Sequence, residues 1–276
     1  MNVALHGTRG SVGRAGPETM YFGGDTSCVE VNGDDGSILV LDAGSGLARM
    51  NQRLDPCPAR IDLLLTHLHM DHLQGLGFFR ALWFTDVEVH LWGPASSTMS
   101  LSERLGRYLS PPLFPVRVRD LPALRFHDVR PGTYEVGSFE VTADLVCHPG
   151  PTLGFRVRDN STTLAYLPDH EPALGAQKFP KPAEWTSGYD LCHGVDLLIH
   201  DFQYTPDEYL ARIGWGHPSI PQALLFAEQV EARRLVTFHH DPDHDDDALR
   251  RLHQEAAAAE LPFELIPGIT GLQLEV

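Results

Sequence analysis

Cysteine is scarce in this chain. Its four residues, Cys28, Cys57, Cys147 and Cys192, are scattered and form no Cys-x-x-Cys pair. That spacing excludes the framework of a disulfide-stapled secreted domain and suits reduced thiols in a cytoplasm. Long apolar runs are lacking too, since no window is long enough to cross a bilayer. The opening residues, Met1-Asn2-Val3-Ala4-Leu5-His6, lack a basic region followed by an apolar stretch, so no signal peptide is read and a cytoplasmic protein is expected. Runs of basic residues are absent, and the net charge is −16. Such a surface repels a polyphosphate, so a long nucleic-acid footprint is not expected. The sign says less about a small anion, because bound divalent metals reverse the local field inside an acidic protein. No low-complexity tract, short-period repeat or clean linker divides the chain. Residues 1–276 are read as one domain, a length that α/β folds often reach undivided.

What is present is enough apolar material for a core, 42% of residues, and an unusual number of histidines, fifteen. Short β-branched runs at residues 37–41, 61–65, 87–91, 139–143, 163–167, 196–199 and 235–238 read as strands. Several are apolar throughout, which implies cover on both faces. Helical periodicity appears at residues 73–84, 218–232 and 246–260. In the second of these, Ser219-Ile220-Pro221-Gln222 has the form of a helix start, with Ser as cap and Pro and Gln in the first turn. Strands mixed with helices imply a layered α/β domain. Two stretches are rich in loop residues. Residues 111–122 hold several prolines and offer a surface for a homodimer, and residues 171–194 have the composition of a lid.

The densest chemical signal is His67-Leu68-His69-Met70-Asp71-His72, directly after the apolar run 61–65. A strand that ends in a histidine-rich loop presents several imidazoles to one point while the backbone turns. Asp71 adds a hard oxygen ligand and offsets cationic charge. Imidazole with carboxylate suits zinc, and also manganese or iron.

This His-x-His-x-Asp-His run resembles the signature of the metallo-β-lactamase superfamily. The family adds a histidine, an aspartate and a final histidine from later strand ends. The matching positions are His148 in Cys147-His148-Pro149, Asp169 in Leu167-Pro168-Asp169-His170, and His239 or His240 in Thr237-Phe238-His239-His240, with His239 the better alignment. The resemblance implies a four-layer αββα sandwich holding two divalent metal ions. One would be bound by His67, His69 and His148, the other by Asp71, His72 and His239, with Asp169 bridging. His6, His127, His193, His244 and His253 are read as ordinary surface or supporting residues, and His170 as supporting or exposed.

Within the superfamily, Asp196-Leu197-Leu198-Ile199-His200-Asp201 and Gly216-His217-Pro218-Ser219 are similar to two motifs of the RNase Z-like phosphodiesterases. There the acidic residue orients a histidine that protonates the leaving oxygen. Carried over, Asp201 orients His217, with Asp in place of the family's Glu and Pro218 intervening before Ser219. A carboxylate partner is expected to keep the imidazolium available near neutrality. Gly7-Thr8-Arg9-Gly10-Ser11 and Asp42-Ala43-Gly44-Ser45-Gly46 resemble two glycine turns of the same branch. The protruding arm, rich in Gly and basic residues, with which RNase Z grips transfer RNA has no counterpart.

The expected activity is hydrolysis of a small, cyclic or activated phosphodiester by attack of a metal-bridging hydroxide, with Asp71, His217 and Asp201 as the catalytic residues. Hydrolysis of a carbon ester, by a lactonase, thioesterase or β-lactamase-like enzyme, is the alternative, since those enzymes share the ligands without needing the Asp201/His217 relay. A flavodiiron-type redox role would place a Glu where His69 stands. A non-catalytic scaffold of this fold would be expected to have lost ligands.

Overall fold

The computed structural model describes residues 1–175 and 179–276. The first half of the chain supplies β1 (Asn2–Gly7), β2 (Cys28–Asn32), β3 (Ile38–Leu41), β4 (Arg60–Leu64), β5 (Glu88–Pro94) and β6 (Leu124–Val129). The second half supplies β7 (Gly132–Val136), β8 (Phe139–Leu145), β9 (Leu153–Asp159), β10 (Thr162–Leu167), β11 (Leu197–Asp201), β12 (Arg234–Phe238) and β13 (Glu264–Ile266). A last strand, β14 (Gln273–Glu275), returns to pair antiparallel with β1. Two sheets of seven strands result, ordered β14-β1-β2-β3-β4-β5-β6 and β13-β12-β11-β10-β9-β8-β7. All seven runs expected as strands lie in strands of these sheets, to within a residue at either run end. The pairs from β3 to β6 are parallel, as are those from β10 to β13.

The sheets face each other across a core that includes Leu39, Leu41, Val141, Phe155, Tyr166, Ile199 and Phe238. A second apolar layer lies outside each. Over the first sheet it is built largely from turns, with the short helices α1 (Leu47–Met50) and α2 (Leu101–Leu105). Over the second it contains α3 (Tyr189–Cys192) and α5 (Ile220–Gln229), while α4 (Pro206–Leu210) and α6 (Asp246–Ala257) complete the set. This is the αββα order that the resemblance implies. Because β11 is covered by the opposite sheet on one face and by α5 on the other, all five of its residues are buried. That explains a strand sequence without polar alternation.

The starts of α5 and α6 follow from their sequences. Gln222 Oε1 accepts from the Ser219 amide at 2.9 Å, the reach-back expected of a capping pair. Asp245 caps α6 through the Ala248 amide at 2.7 Å. The helix expected over residues 73–84 does not form. The chain makes two short 3-10 turns, Leu76–Phe78 and Arg80–Trp83. The buried residues Leu73, Leu76, Phe79 and Leu82 recur every third position, which is the period of a 3-10 helix. A Cβ at Gly77 would lie 2.6 Å from the Phe114 ring, so close packing holds the turns in place. No helix among the described residues is long and apolar enough to cross a membrane.

On the helical side of β12, His253 on α6 contacts the Thr237 hydroxyl at 2.7 Å, and burial pushes its pKa down to about 4. An unfolded chain binds this proton near pH 6.5. Between those values the unfolded state holds a proton that the folded state refuses, so stability falls as pH falls. Thermal unfolding of metal-stripped protein at pH 7.5 and pH 5 checks this. His253→Gln is expected to lose less on acidification than the wild type, and an equal loss would remove His253 as a contributor.

Candidate metal centre

Strand ends build the site. Asp42 follows β3, His67, His69, Asp71 and His72 follow β4, and His148 follows β8. Asp169 follows β10, Asp201 closes β11 and His239 follows β12. These strands point the same way in each sheet, so their carboxyl ends share one edge, the usual location of sites in open α/β sheets.

Four separate stretches supply the cluster. Ligand atoms of His67, His69 and His148 lie within 4.8 Å of one another, and so do those of Asp71, His72, Asp169 and His239. Asp169 stands between the two groups. Its Oδ2 is 3.8 Å from His67 Nε2 and 3.7 Å from His148 Nε2. Its Oδ1 is 3.1 Å from His72 Nε2 and 3.3 Å from His239 Nε2. Asp71 Oδ2 lies 3.3 Å from His72 Nε2 and 3.1 Å from His239 Nε2. Of the adjacent histidines at the end of β12, His239 enters the cluster. His240 turns the other way, its Nε2 2.9 Å from the Gly268 carbonyl.

The donor set fits divalent cations. His67 Nε2, His72 Nε2 and Asp169 Oδ1 are buried and have no hydrogen-bond partner among the described residues. The 3.1 Å approach of the last two is not aligned as a hydrogen bond. Each such orphan costs about 1–3 kcal/mol if left unmet, and all three belong to the groups of ligand atoms that lie within 4.8 Å of one another, of the imidazole and carboxylate types that bind metal. Electrostatics agree. Burial pushes the Asp169 carboxyl up, but His239, His72 and His67 outweigh it and hold the group well below the usual carboxylate range. Burial likewise raises Asp71, and His72 and His239 overcome it. Burial pushes His72 down, yet Asp169, Asp71 and Asp42 lift it well above the usual value. The carboxylates thus draw positive charge to this point. By contrast burial pushes His67 down, and His148 down to about 4, which keeps those rings neutral as ligation requires.

Hydrogen bonds behind the cluster aim the rings. His72 Nδ1 donates to Asp42 Oδ2 at 2.8 Å. His67 Nδ1 lies 3.0 Å from the Thr66 hydroxyl, which in turn donates to Asp42. His239 Nδ1 donates to Gln203 Oε1 at 2.8 Å, and His148 Nδ1 to the Gly216 carbonyl at 3.0 Å. Gly216 sits at φ 91°, and a Cβ there would lie 2.2 Å from His148 Nδ1, so only glycine lets this carbonyl approach. Its turn is clamped by the buried Glu171 carboxylate, which accepts from the amides of Gly214 and Gly216 at 3.0 and 3.1 Å.

Beside the cluster, His217 Nδ1 is 2.7 Å from Asp201 Oδ2. The His217 ring is 5.0 Å from those of both His148 and His239. Asp201 also accepts from the amides of His170 and Gln203, which fixes its carboxylate. The expectation that Asp201 keeps the imidazolium available meets a counterforce. Burial pushes His217 down and Asp201 well up, both toward uncharged forms.

Other expectations are corrected. Of the two readings of His170, supporting or exposed, the second falls: it is fully buried, its amide donating to Asp201 and its Nδ1 3.0 Å from His200 Nε2. Residues 171–194 do not form the expected lid in their described part. Gln229 of α5 donates to Ala183 and Thr186 of this segment. The cavity of about 340 Å3 that opens on His67 and His69 is walled instead by Leu68, Ser96, Arg104 and Pro149-Gly150-Pro151. Residues 176–178 of the segment lie outside the described residues.

Sequence reasoning named Asp42 only as the head of a glycine turn, and passed over Thr66, Tyr166, Glu171 and Gln203 as supporting groups. Asp42 carried a usable signal, an acidic residue directly after an apolar strand, the same placement as Asp169. The others stand in no motif.

A family model for the beta-lactamase superfamily domain matches residues 38–240, the span that holds the whole cluster. The chain is similar to ribonuclease Z of Myxococcus xanthus, 26% identical over 269 residues that cover 83% of this chain and 85% of that one. Among solved structures, the metallo-beta-lactamase fold protein YhfI of Bacillus subtilis superposes with a TM-score of 0.73 at 18% identity, covering 100% of this chain and 99% of that one. A diphosphatase from the PhnP family superposes with a TM-score of 0.69 at 18% identity, covering 100% and 96%. Structural likeness at these identities speaks for the fold alone.

Asp42→Asn tests the supporting layer. Loss of an outer partner typically lowers metal affinity about 10–100-fold. Competition against a chelator is expected to read a drop of that size, while wild-type affinity in the variant would show that the carboxylate does not hold the imidazoles.

Proposed function

Since the chain belongs to the beta-lactamase superfamily, we propose that its buried centre hydrolyses a small phosphodiester with two divalent cations bound. The chain is a metal-dependent hydrolase, in keeping with its family and with relatives named ribonuclease Z. One cation is assigned to His67, His69 and His148, the other to Asp71, His72 and His239, with one oxygen of Asp169 toward each. Zinc suits this imidazole-rich set, and manganese or iron would also be accepted. Cations held there supply Lewis-acid neutralisation of phosphate charge and a more acidic water.

The observation that carries phosphodiester chemistry is the Asp201–His217 pair at the edge of the cluster. A poor alkoxide leaving group needs a proton, whereas a carbon ester can be opened by the same ligands without a dedicated donor. Asp201 occupies Nδ1 of His217, which leaves Nε2 as the atom that can hand a proton to the departing oxygen. Burial favours that transfer, because a desolvated imidazolium gives up its proton more readily. Glu171 and Gly216 hold the turn that precedes His217, so the donor and the ligand His148 are set by one clamp.

A small substrate is supported by two facts. The net charge of −16 disfavours a long polyanion, and the cavity at His67 and His69 has a volume of about 340 Å3, room for a compact molecule.

His217→Ala is expected to keep its metal, measured by elemental analysis, and to lose about 10²–10⁴-fold in turnover of an alkyl phosphodiester. A smaller loss is expected for bis(p-nitrophenyl) phosphate, whose phenolate departs without help. Full activity of the variant on both would remove the proposed acid. Hydrolysis of p-nitrophenyl acetate or lactones, with no turnover of any diester, would move the enzyme to the carbon-ester class.

A further inference from the structure

The cavity beside the metal centre contains one feature that the hydrolytic chemistry does not use. Arg104 is the one Lys or Arg among its lining residues, facing the same space as His67 and His69. Its side chain is only 14% exposed. Nη2 donates to the Pro94 carbonyl at the end of β5, and the Asp128 carboxylate on β6 lies 3.6 Å away. Both contacts are made by the same nitrogen, Nη2. Asp128 is itself committed to the Leu101 amide at 3.2 Å, and its side chain is 45% exposed, so water screens much of its charge. Nε is buried without a partner, and Nη1 makes no hydrogen bond with the described residues. Burial of a guanidinium this poorly satisfied is unfavourable unless another anion completes it.

We propose that this cavity is a subsite for a second anionic group of the substrate, and that Arg104 binds it. The inference rests on the phosphodiester reading, which it narrows: the preferred diester carries a further phosphate or carboxylate on the portion that lies toward Ser96 and Pro149. Charge explains why an arginine is needed there. The chain is strongly acidic, with a net charge of −16, and would repel a polyanionic substrate at any wall without a cation. The planar fork of a guanidinium matches two oxygens of one carboxylate or phosphate, which a lysine matches less well. The remaining wall, Leu68, Pro149, Gly150 and Pro151, has no charged side chain to compete for that group. Placement of Arg104 is firm. It stands on α2, whose start is capped by Ser100 and Glu103, the Ser100 amide donating to Glu103 at 2.8 Å.

The test compares matched p-nitrophenyl phosphodiesters whose second ester group is ethyl, 2-carboxyethyl or 2-phosphonoethyl, on the metal-loaded full chain. The carboxylate and phosphonate arms distinguish which anion the subsite prefers. Wild-type protein is expected to favour an anionic ester over the ethyl ester by tenfold or more in kcat/KM, mainly through KM, with the preference shrinking at high salt. Arg104→Gln is expected to reduce it to within about twofold while leaving the ethyl ester unchanged, and Arg104→Lys to retain part. Equal turnover of all three esters by the wild type would overturn the subsite. So would equal losses on all three in Arg104→Gln with a lowered Tm, which would make Arg104 a pin between α2 and β5. If no diester is cleaved but p-nitrophenyl acetate is, the phosphodiester reading fails alone. The same comparison between p-nitrophenyl acetate and its hemisuccinate counterpart then reads the subsite separately.

Discussion

A buried carboxylate, Asp42, ties the two halves of this molecule to one site. It is fully inaccessible to solvent and accepts from four donors: the Thr66 amide and hydroxyl, His72 Nδ1, and the Tyr166 hydroxyl at 3.0 Å. Thr66 and His72 belong to the loop after β4 in the first sheet, whereas Tyr166 belongs to β10 in the second. An isolated anion at this depth would be prohibitively costly, so each donor is needed, and together they are arranged with little freedom. The imidazoles of His72 and His67 take their orientation from that arrangement. The sandwich and the cluster are therefore one construction rather than a scaffold with a site added to it.

Backbone geometry at the same place is unusual. Asp42 and His239, both non-glycine residues, adopt left-handed conformations at φ 60° and φ 54°. Such residues cost of order 1–3 kcal/mol each and persist where the surroundings over-determine them. Here the surroundings do so. Gln203 holds His239 from one side, and Gly10 packs so close that a Cβ on it would lie 2.4 Å from the His239 ring. The Ser11 amide, on the same glycine turn, donates to Asp71 at 2.8 Å. The first loop of the chain thus closes over the last ligand-bearing strand end, although some 230 residues separate them in sequence.

The centre is also an electrostatic solution to a packing problem. Asp42, Asp71 and Asp169 crowd negative charge into a buried interior. The protein meets it with imidazoles on every side, lifting His72 while depressing His67, His69 and His148 by burial. The residual demand for positive charge lies among them, where His67 Nε2, His72 Nε2 and Asp169 Oδ1 have no hydrogen-bond partner among the described residues. Divalent cations bound there would answer that demand. Arg104 extends the same logic outward, as the positive wall of an opening in an acidic protein.

Residue types and local order were enough to read the strands, the capped helix after Ser219 and the histidine motif, because each is a short-range pattern. An apolar run covered on both faces, a cap with its reach-back glutamine and a His-x-His-x-Asp-His spacing all lie within a few residues of chain. The outer turns of residues 73–84 were misjudged because spacings of three and four overlap over so short a stretch. The three-residue repeat of Leu73, Leu76, Phe79 and Leu82 decides for 3-10 geometry only once Gly77 is seen against Phe114. Tertiary structure brought His239, the residue the alignment prefers, into the cluster and turned His240 away from it, showed how Asp42, Gln203 and Glu171 aim the ligands, tied part of residues 171–194 to α5, and set Arg104 beside the centre. The physical reason is the same in each case. Sequence carries which donors and acceptors exist, but their pairing across the two sheets depends on distances that no local pattern encodes.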